Sequence, residues 1–318
     1  MNRRVLGLVA LPVACLTLTL SACGGQSGSA NADGGASGEV VVDGSSTVQP
    51  LTAAAGELFG EEQPNVNVSV ATSGTGGGFE KFCQGQTDIS NASRPIADDE
   101  LAMCEENGVE HTELQVATDA MTVVVSEEND FINCLTTEEL ATLWGPEAEG
   151  SITEWNQVNP EFPAEPIELY GPGTDSGTFD YFTDVINGEE GASRADYNAS
   201  EDDNTVVQGV SGSANALGYF GFSYFEENAD KLKAVEIDSG EGCVAPSAEA
   251  AQDGSYTPLA RPLFIYVSKS AVEDKPQVAE FLKYYAANDG DIAEAAQFIP
   301  LNDEQAEELK READELVG

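Results

Sequence analysis

Positive charge is scarce in this sequence. Lysine and arginine together number 13, against 57 aspartates and glutamates, for a formal net charge of −44. Affinity for nucleic acid rests on basic side chains at phosphates, so such a polyanion excludes it. The acids are scattered, as on a solvated surface, and suit a salty, halophilic setting. Histidine is scarcer still: His111, in "VEHTEL", is the only one, and its acidic context predicts a solvated surface residue. A Ser nucleophile would therefore lack its usual base, and G-x-S-x-G is absent. No two cysteines are closely spaced, as a zinc site would require. Neither enzyme chemistry, a metal nor a cofactor is expected. "GVSGSANALGYFG" is Gly-rich but lacks Lys and any nucleotide fingerprint; it reads as a turn and helix facing a cleft.

After the first residues no apolar run is long enough to span a bilayer. Residues 1–23 read as a targeting segment: Asn2, Arg3 and Arg4 precede an apolar stretch from Val5 to Leu20, then "LSAC". That ending resembles a bacterial lipobox, which implies cleavage before Cys23 and a lipid on it. Residues 24–38 are mostly Gly, Ser, Ala and Asn, a flexible tether. The chain is thus expected to be exported and held by acyl chains on the outer face of a membrane or in the periplasm. Cys83, Cys104, Cys134 and Cys243 remain. Outside the cytosol an even number predicts two disulfides. Three connectivities are open. Cys83–Cys104 with Cys134–Cys243 is favoured, because the first closes a short local loop.

The 318 residues, 41% hydrophobic, suggest two domains with ordinary cores. Strand, turn, helix recurs. "EVVVDGSSTVQPLT" runs from an apolar strand through Ser45, Ser46 and Thr47 into a helix near Pro50. "NVNVSVATSGTGGGFEKF" alternates at Val66, Val68 and Val70, turns from Ser73 to Gly78, then becomes helical. "IELYGPGTDSGTFDYF" turns at Thr174 to Thr178. Ser and Thr are ordinary helix caps. Three such turns, each at a strand's end, point further. Unpaired N–H groups, small residues and hydroxyls together bind an oxyanion without a basic cleft. "DISNASRPIADDELAMC" adds a strand from Thr87 to Ala92, then Arg94, then a helix from about Ala97. Arg94 supplies a forked, permanent positive charge. The aromatic groups Phe179 to Phe182 and Tyr219 to Phe225 read as packing beneath the cleft.

Taken together, "DGSSTVQPLT", "SGTGGGFEKF", "DISNASRPI", "GPGTDSGTFDYF", "GVSGSANALGYFGF" and "RPLFIYVS" resemble the PstS-like phosphate-binding lipoproteins of phosphate ABC transporters. The resemblance covers nearly the whole chain after Gly38. It implies an α/β, two-domain type II periplasmic-binding-protein fold, with a cleft between lobes and a two-strand hinge. Crossings are expected near 123–127 and 262–268. Domain one would be 39–125 plus 265–318, and domain two 126–264. The implied phosphate ligands are Ser46, Thr47 and Val48 (through its N–H), then Ser73 and Thr75, then Ser176, Gly177 and Thr178. Two positions depart from the family's best-known pattern. Its strand-end acid falls at Arg94, and its Arg falls near Pro172. The acid is then expected at Asp175, with Asp43 the poorer candidate.

The implied role is high-affinity capture of inorganic phosphate and delivery to a membrane permease, by a monomer. The alternatives are another oxyanion (sulfate, arsenate, molybdate), a phosphate sensor, and more remotely an extracellular hydrolase. Phosphate near neutral pH still carries a proton and can donate to a carboxylate; sulfate cannot. Asp175→Asn is therefore predicted to weaken rejection of sulfate more than it weakens phosphate binding. Competition titrations with both anions check this, and an unchanged preference removes Asp175 from the role.

Overall fold

The computed structural model describes residues 36–174 and 176–318. The targeting segment, Cys23, most of the tether and Asp175 lie outside the described residues. The chain opens β1 (Gly38–Gly44), α1 (Gln49–Glu62), β2 (Val66–Val70), α2 (Gly74–Cys83), β3 (Ile89–Ala92), α3 (Asp98–Asn107). β1 lies between β2 and β3, parallel to both. Pro50 sits in the first turn of α1, where its missing N–H costs nothing. The stretch from Gly74 to Gly78, read as a turn, is already helical and forms the first turns of α2.

The remaining strands are β4 (His111–Ser126), β5 (Cys134–Thr136), β6 (Glu168–Pro172), β7 (Asn198–Ser200), β8 (Ala216–Gly221), β9 (Leu232–Ala234), β10 (Glu236–Asp238), β11 (Cys243–Val244) and β12 (Ala260–Ser268). Among them lie α4 (Thr137–Trp144), α5 (Gly177–Phe182) and α6 (Asp203–Ser211). The main sheet runs β2-β1-β3-β12-β4-β8-β6-β7, with β9 also on β4. A small sheet runs β11-β10-β5.

Two separate cores make this a two-lobed α/β protein. Val40, Leu51, Phe59, Leu114, Ile265 and Phe281 belong to the first. Met121, Leu135, Trp144, Trp155, Phe182 and Tyr219 belong to the second. Further apolar clusters, around Phe79 and Tyr266 and around Val206 and Phe220, cover other parts of the two lobes. Strands covered on both faces read as continuous apolar runs, as in "VVVD" and "MTVVVS". The C-terminal helices Pro276–Ala287 and Asp303–Val317 return to the first core through Val278, Phe281, Leu282, Leu309 and Ala313.

β4 and β12 serve both lobes. Along β4, Leu114 and Ala117 pack in the first core and Met121 and Val123 in the second. Approaching and along β12, Leu259 packs in the second core and Leu263 in the first. On β4 core membership changes between Ala117 and Met121, ahead of the crossing expected at 123–127; on β12 it changes between Leu259 and Leu263, overlapping the start of the crossing expected at 262–268. The two strands pair antiparallel from His111↔Ser268 to Ala120↔Ala260, and the register slips at Leu263/Phe264. Such a bulge bends the strand and re-aims its side chains.

Two readings need correcting. "ALGYFG" is the strand β8 rather than a helix. It lies between β4 and β6 with nearly every residue buried, and a central strand of that kind has no polar face. His111 is not a solvated residue. It begins β4, and its half-buried ring lies 6.0 Å from that of Phe82 and 5.6 Å from that of Tyr266.

The disulfides join Cys83 to Cys104 and Cys134 to Cys243, the pairing favoured on loop length. Among the described residues, no helix is long and apolar enough to cross a membrane. The two cysteines of the second bridge are 109 residues apart, and neither is buried. Breaking it tests loop entropy with little cavity cost. Cys134→Ser with Cys243→Ser is expected to cost up to about 5 kcal/mol in denaturant unfolding. A loss under about 1 kcal/mol would show that lobe packing alone closes that loop. Asp203 lies in the first turn of α6. Burial, then Asp202 and Glu201, push its carboxyl up to about 6. The folded chain thus holds this proton more tightly than the unfolded chain. Stability should fall as pH rises from about 4 to about 6. Asp203→Asn should flatten that slope and raise the melting temperature at pH 7.

Candidate functional site

The first corner of the site forms where β1 ends. Gly44 adopts φ +138°, and a Cβ there would meet the Asn91 carbonyl oxygen at 2.2 Å. A Cβ on Gly78 would meet the Gly44 Cα at 2.5 Å. Only glycine lets α2 and β3 approach the end of β1 this closely. The turn that follows is anchored by Ser45 N–H donating to the Asn91 carbonyl (2.9 Å). Ser46 and Thr47 then project where α1 begins.

The charges behind this corner are committed to it. Asp43 is buried and accepts from the Gly44 N–H (2.8 Å), from the Ser73 hydroxyl (2.8 Å) and from Lys81. Burial raises its carboxyl, but Lys81, Ser73 and the Gly44 amide outweigh burial and leave it below the usual carboxylate range. Ser73 therefore points inward to Asp43. Thr75 meets the Ser93 hydroxyl at 3.1 Å and accepts from the Ser93 N–H at 3.3 Å. That bond ties the start of α2 to the end of β3.

Arg94 follows Ser93 and grips Glu100 with both terminal nitrogens, each at 2.8 Å. Glu100 also accepts from the Ala97 N–H (2.8 Å) and so caps α3. Burial pushes the Glu100 carboxyl up, but Arg94 and the Ala97 amide overcome it and hold it low. The Arg94 guanidinium is raised in turn, chiefly by its bonds to Glu100. Arg94 stays half-exposed at the rim, 5.8 Å from the Phe79 ring centroid.

The second lobe contributes the start of α5. Ser176 caps it, accepting from the Thr178 N–H at 3.2 Å. Gly177 faces the first lobe; a Cβ there would lie 3.4 Å from Thr47 Oγ1. Tyr181 is buried, and its hydroxyl donates to the Pro258 carbonyl (2.6 Å). Beneath it, Phe182 stacks on Tyr219 with ring centroids 3.9 Å apart. From the connecting strand β12 comes Arg261, which lies over the Tyr181 ring at 3.6 Å.

These parts enclose a cleft of about 590 Å³. It brings together Ser46, Thr47, Thr75, Arg94 and Gly177 of the ligands expected from sequence. Ser45, Ser93, Tyr181 and Arg261 also line it, with the acids Asp180, Asp184 and Glu190. Val48 was expected through its backbone N–H, and its side chain is buried in the first core. Three expected hydroxyls have other partners or surroundings: Ser73 binds Asp43, Ser176 caps α5, and Thr178 lines a smaller hollow with Asp119 and Asp203. Sequence reasoning missed Arg261. One signal was present: it is one of 13 basic residues and opens the quoted stretch "RPLFIYVS".

The profile of the PBP superfamily domain matches residues 29–289. Protein SphX of Synechocystis sp. is 47% identical over 294 residues, which is 92% of this chain and 85% of that protein. The phosphate-binding protein PstS of Staphylococcus saprophyticus is 40% identical over 305 residues, 95% of this chain and 92% of that one. A crystal structure of a possible phosphate binding protein from Planctomyces limnophilus is 44% identical. It superposes with a TM-score of 0.84, covering 89% of this chain and 100% of its own. The chain belongs to the PBP superfamily, and within it to the PstS-like proteins.

Proposed function

We propose that this chain captures inorganic phosphate outside the cell and delivers it to the permease of an ABC transporter. One observation carries the reading beyond the family relationship. The hydroxyls of Ser46, Thr47 and Thr75, the Gly177 backbone and the Arg94 guanidinium, drawn from both lobes, line one cleft. Helix starts offer unpaired N–H groups and hydroxyls offer rotatable donors. Such donors grip a small tetrahedral anion from several sides at once.

The lobes are proposed to close on the anion by rotation about β4 and β12. We place the hinge between Ala117 and Met121 and between Leu259 and Leu263, where core membership changes. The chain is read as a monomeric binding protein, not an enzyme. His111 packs against Phe82 and Tyr266 and does not line the cleft, so no histidine is there to activate a serine. The "LSAC" ending supports export and a lipid on Cys23.

Phosphate at a hundredfold excess over its dissociation constant should stabilise the protein by about 2.7 kcal/mol, raising the melting temperature by about 5–10 °C. Arsenate, sulfate and molybdate serve as competitors, and a chromogenic phosphate ester as a control for turnover. Thr75→Ala is expected to weaken phosphate about 5- to 10-fold and Arg94→Ala about 30-fold in calorimetry. Stabilisation by sulfate or molybdate instead of phosphate would reassign the ligand, and ester turnover would overturn the binding-protein reading.

A further inference from the structure

The strand pair that joins the lobes carries an ion pair. Arg261 on β12 and Asp119 on β4 are direct partners in the antiparallel register, with Nε 3.3 Å from Oδ2. Both side chains are largely buried, 17% and 13% exposed. Burying two charges is costly unless their hydrogen bonds are well satisfied, and a well-packed apolar pair would hold two strands together as well. A structural role alone therefore accounts poorly for this pair.

Arg261 joins three parts of the cleft. Its backbone belongs to the connector, its face covers the Tyr181 ring, and its Nη2 donates to Thr47 Oγ1 at 3.0 Å. Among the described residues its Nη1 makes no hydrogen bond, and the side chain lines the cleft. The bond to Thr47 also constrains that hydroxyl. An oxygen that accepts from Arg261 must send its own proton elsewhere. Thr47 is then poised to donate to a third group.

We propose that Arg261, aimed by Asp119, is a ligand-binding residue, and that it sets Thr47 as a donor, so that this corner takes only a bare anionic oxygen. The proposal rests on the phosphate reading and deepens it. The strand connecting the lobes thereby supplies a cation to the ligand, along with the hinge itself. Asp119 is a positioning residue: it holds the Nε edge and leaves Nη1 and Nη2 for the cleft. The planar fork makes lysine a poor substitute.

The test is calorimetry of inorganic phosphate binding to the exported chain as wild type, Arg261→Gln, Arg261→Lys, Thr47→Val and the Arg261→Gln/Thr47→Val double variant. Thr75→Ala serves as the control for an active cleft. Arg261→Gln is expected to weaken phosphate on the order of 100-fold, and Arg261→Lys about 10-fold, since charge remains but the fork is lost. The double variant should be at most a few-fold weaker than Arg261→Gln, because the two groups act as a unit. Circular dichroism and melting temperature check folding; should Arg261→Gln fail to fold, Arg261→Lys and its cycle with Thr47→Val decide. Additive losses, or an Arg261→Lys protein within threefold of wild type while Thr75→Ala is impaired, overturn the proposal. A wild type that ignores phosphate overturns the ligand reading first, and this one with it.

Discussion

The antiparallel pairing of β4 with β12 is the constraint on which the site depends. Two strands bonded from His111↔Ser268 to Ala120↔Ala260 give side chains to both cores. One main sheet runs through both lobes, each lobe has its own apolar core, and neither could place its half of the cleft without this shared seam. The seam also restricts how the lobes can move. Strands resist shear along their hydrogen bonds but tolerate a change of twist, which suits the rotation proposed for lobe closure. The bulge at Leu263/Phe264 interrupts the pairing beside the point where β12 passes from one core to the other.

A polyanion that holds an anion needs local rather than global charge. The net charge of −44 acts through water and is screened over roughly 10 Å. The cleft itself is lined by Ser and Thr residues, glycines and two arginines, alongside the acids Asp180, Asp184 and Glu190. Each guanidinium is already matched to a carboxylate, Arg94 to Glu100 and Arg261 to Asp119. Matching fixes their direction and lowers the positive charge a ligand meets. Specificity then rests on geometry and on donor count more than on raw attraction.

The few remaining cations are spent mainly on structure. Lys81 satisfies buried Asp43, Lys275 satisfies buried Asp88, and Arg194 binds Asp196 while donating to the Leu143 and Ile152 carbonyls. Each occurs where a segment must be pinned to a lobe. The Asp43 network sits directly behind the Thr47 corner and keeps the end of β1 rigid. A first corner held by its own hydrogen bonds suits the proposed grip on a small ion.

Much of the architecture was legible in sequence, for local reasons. Alternation at Val66, Val68 and Val70 marks a strand, Pro50 marks a helix start, and the short loop between Cys83 and Cys104 points to their disulfide. The three Ser/Thr/Gly turns marked the region of the cleft, because strand ends and helix starts are set by neighbouring residues. Where each hydroxyl points was not legible. Ser73 turns to Asp43, Ser176 caps its own helix and Thr178 faces another hollow, although all three occur in turns like that of Thr47. Arg261 meets Thr47 across 214 residues of chain, a contact created by strand register and the bulge. The sequence by itself determined which segments become strands and helices, since backbone preference and periodicity are local. Only the tertiary structure decided which polar groups share the cleft, since that depends on what each side chain finds within about 3 Å once distant segments have packed.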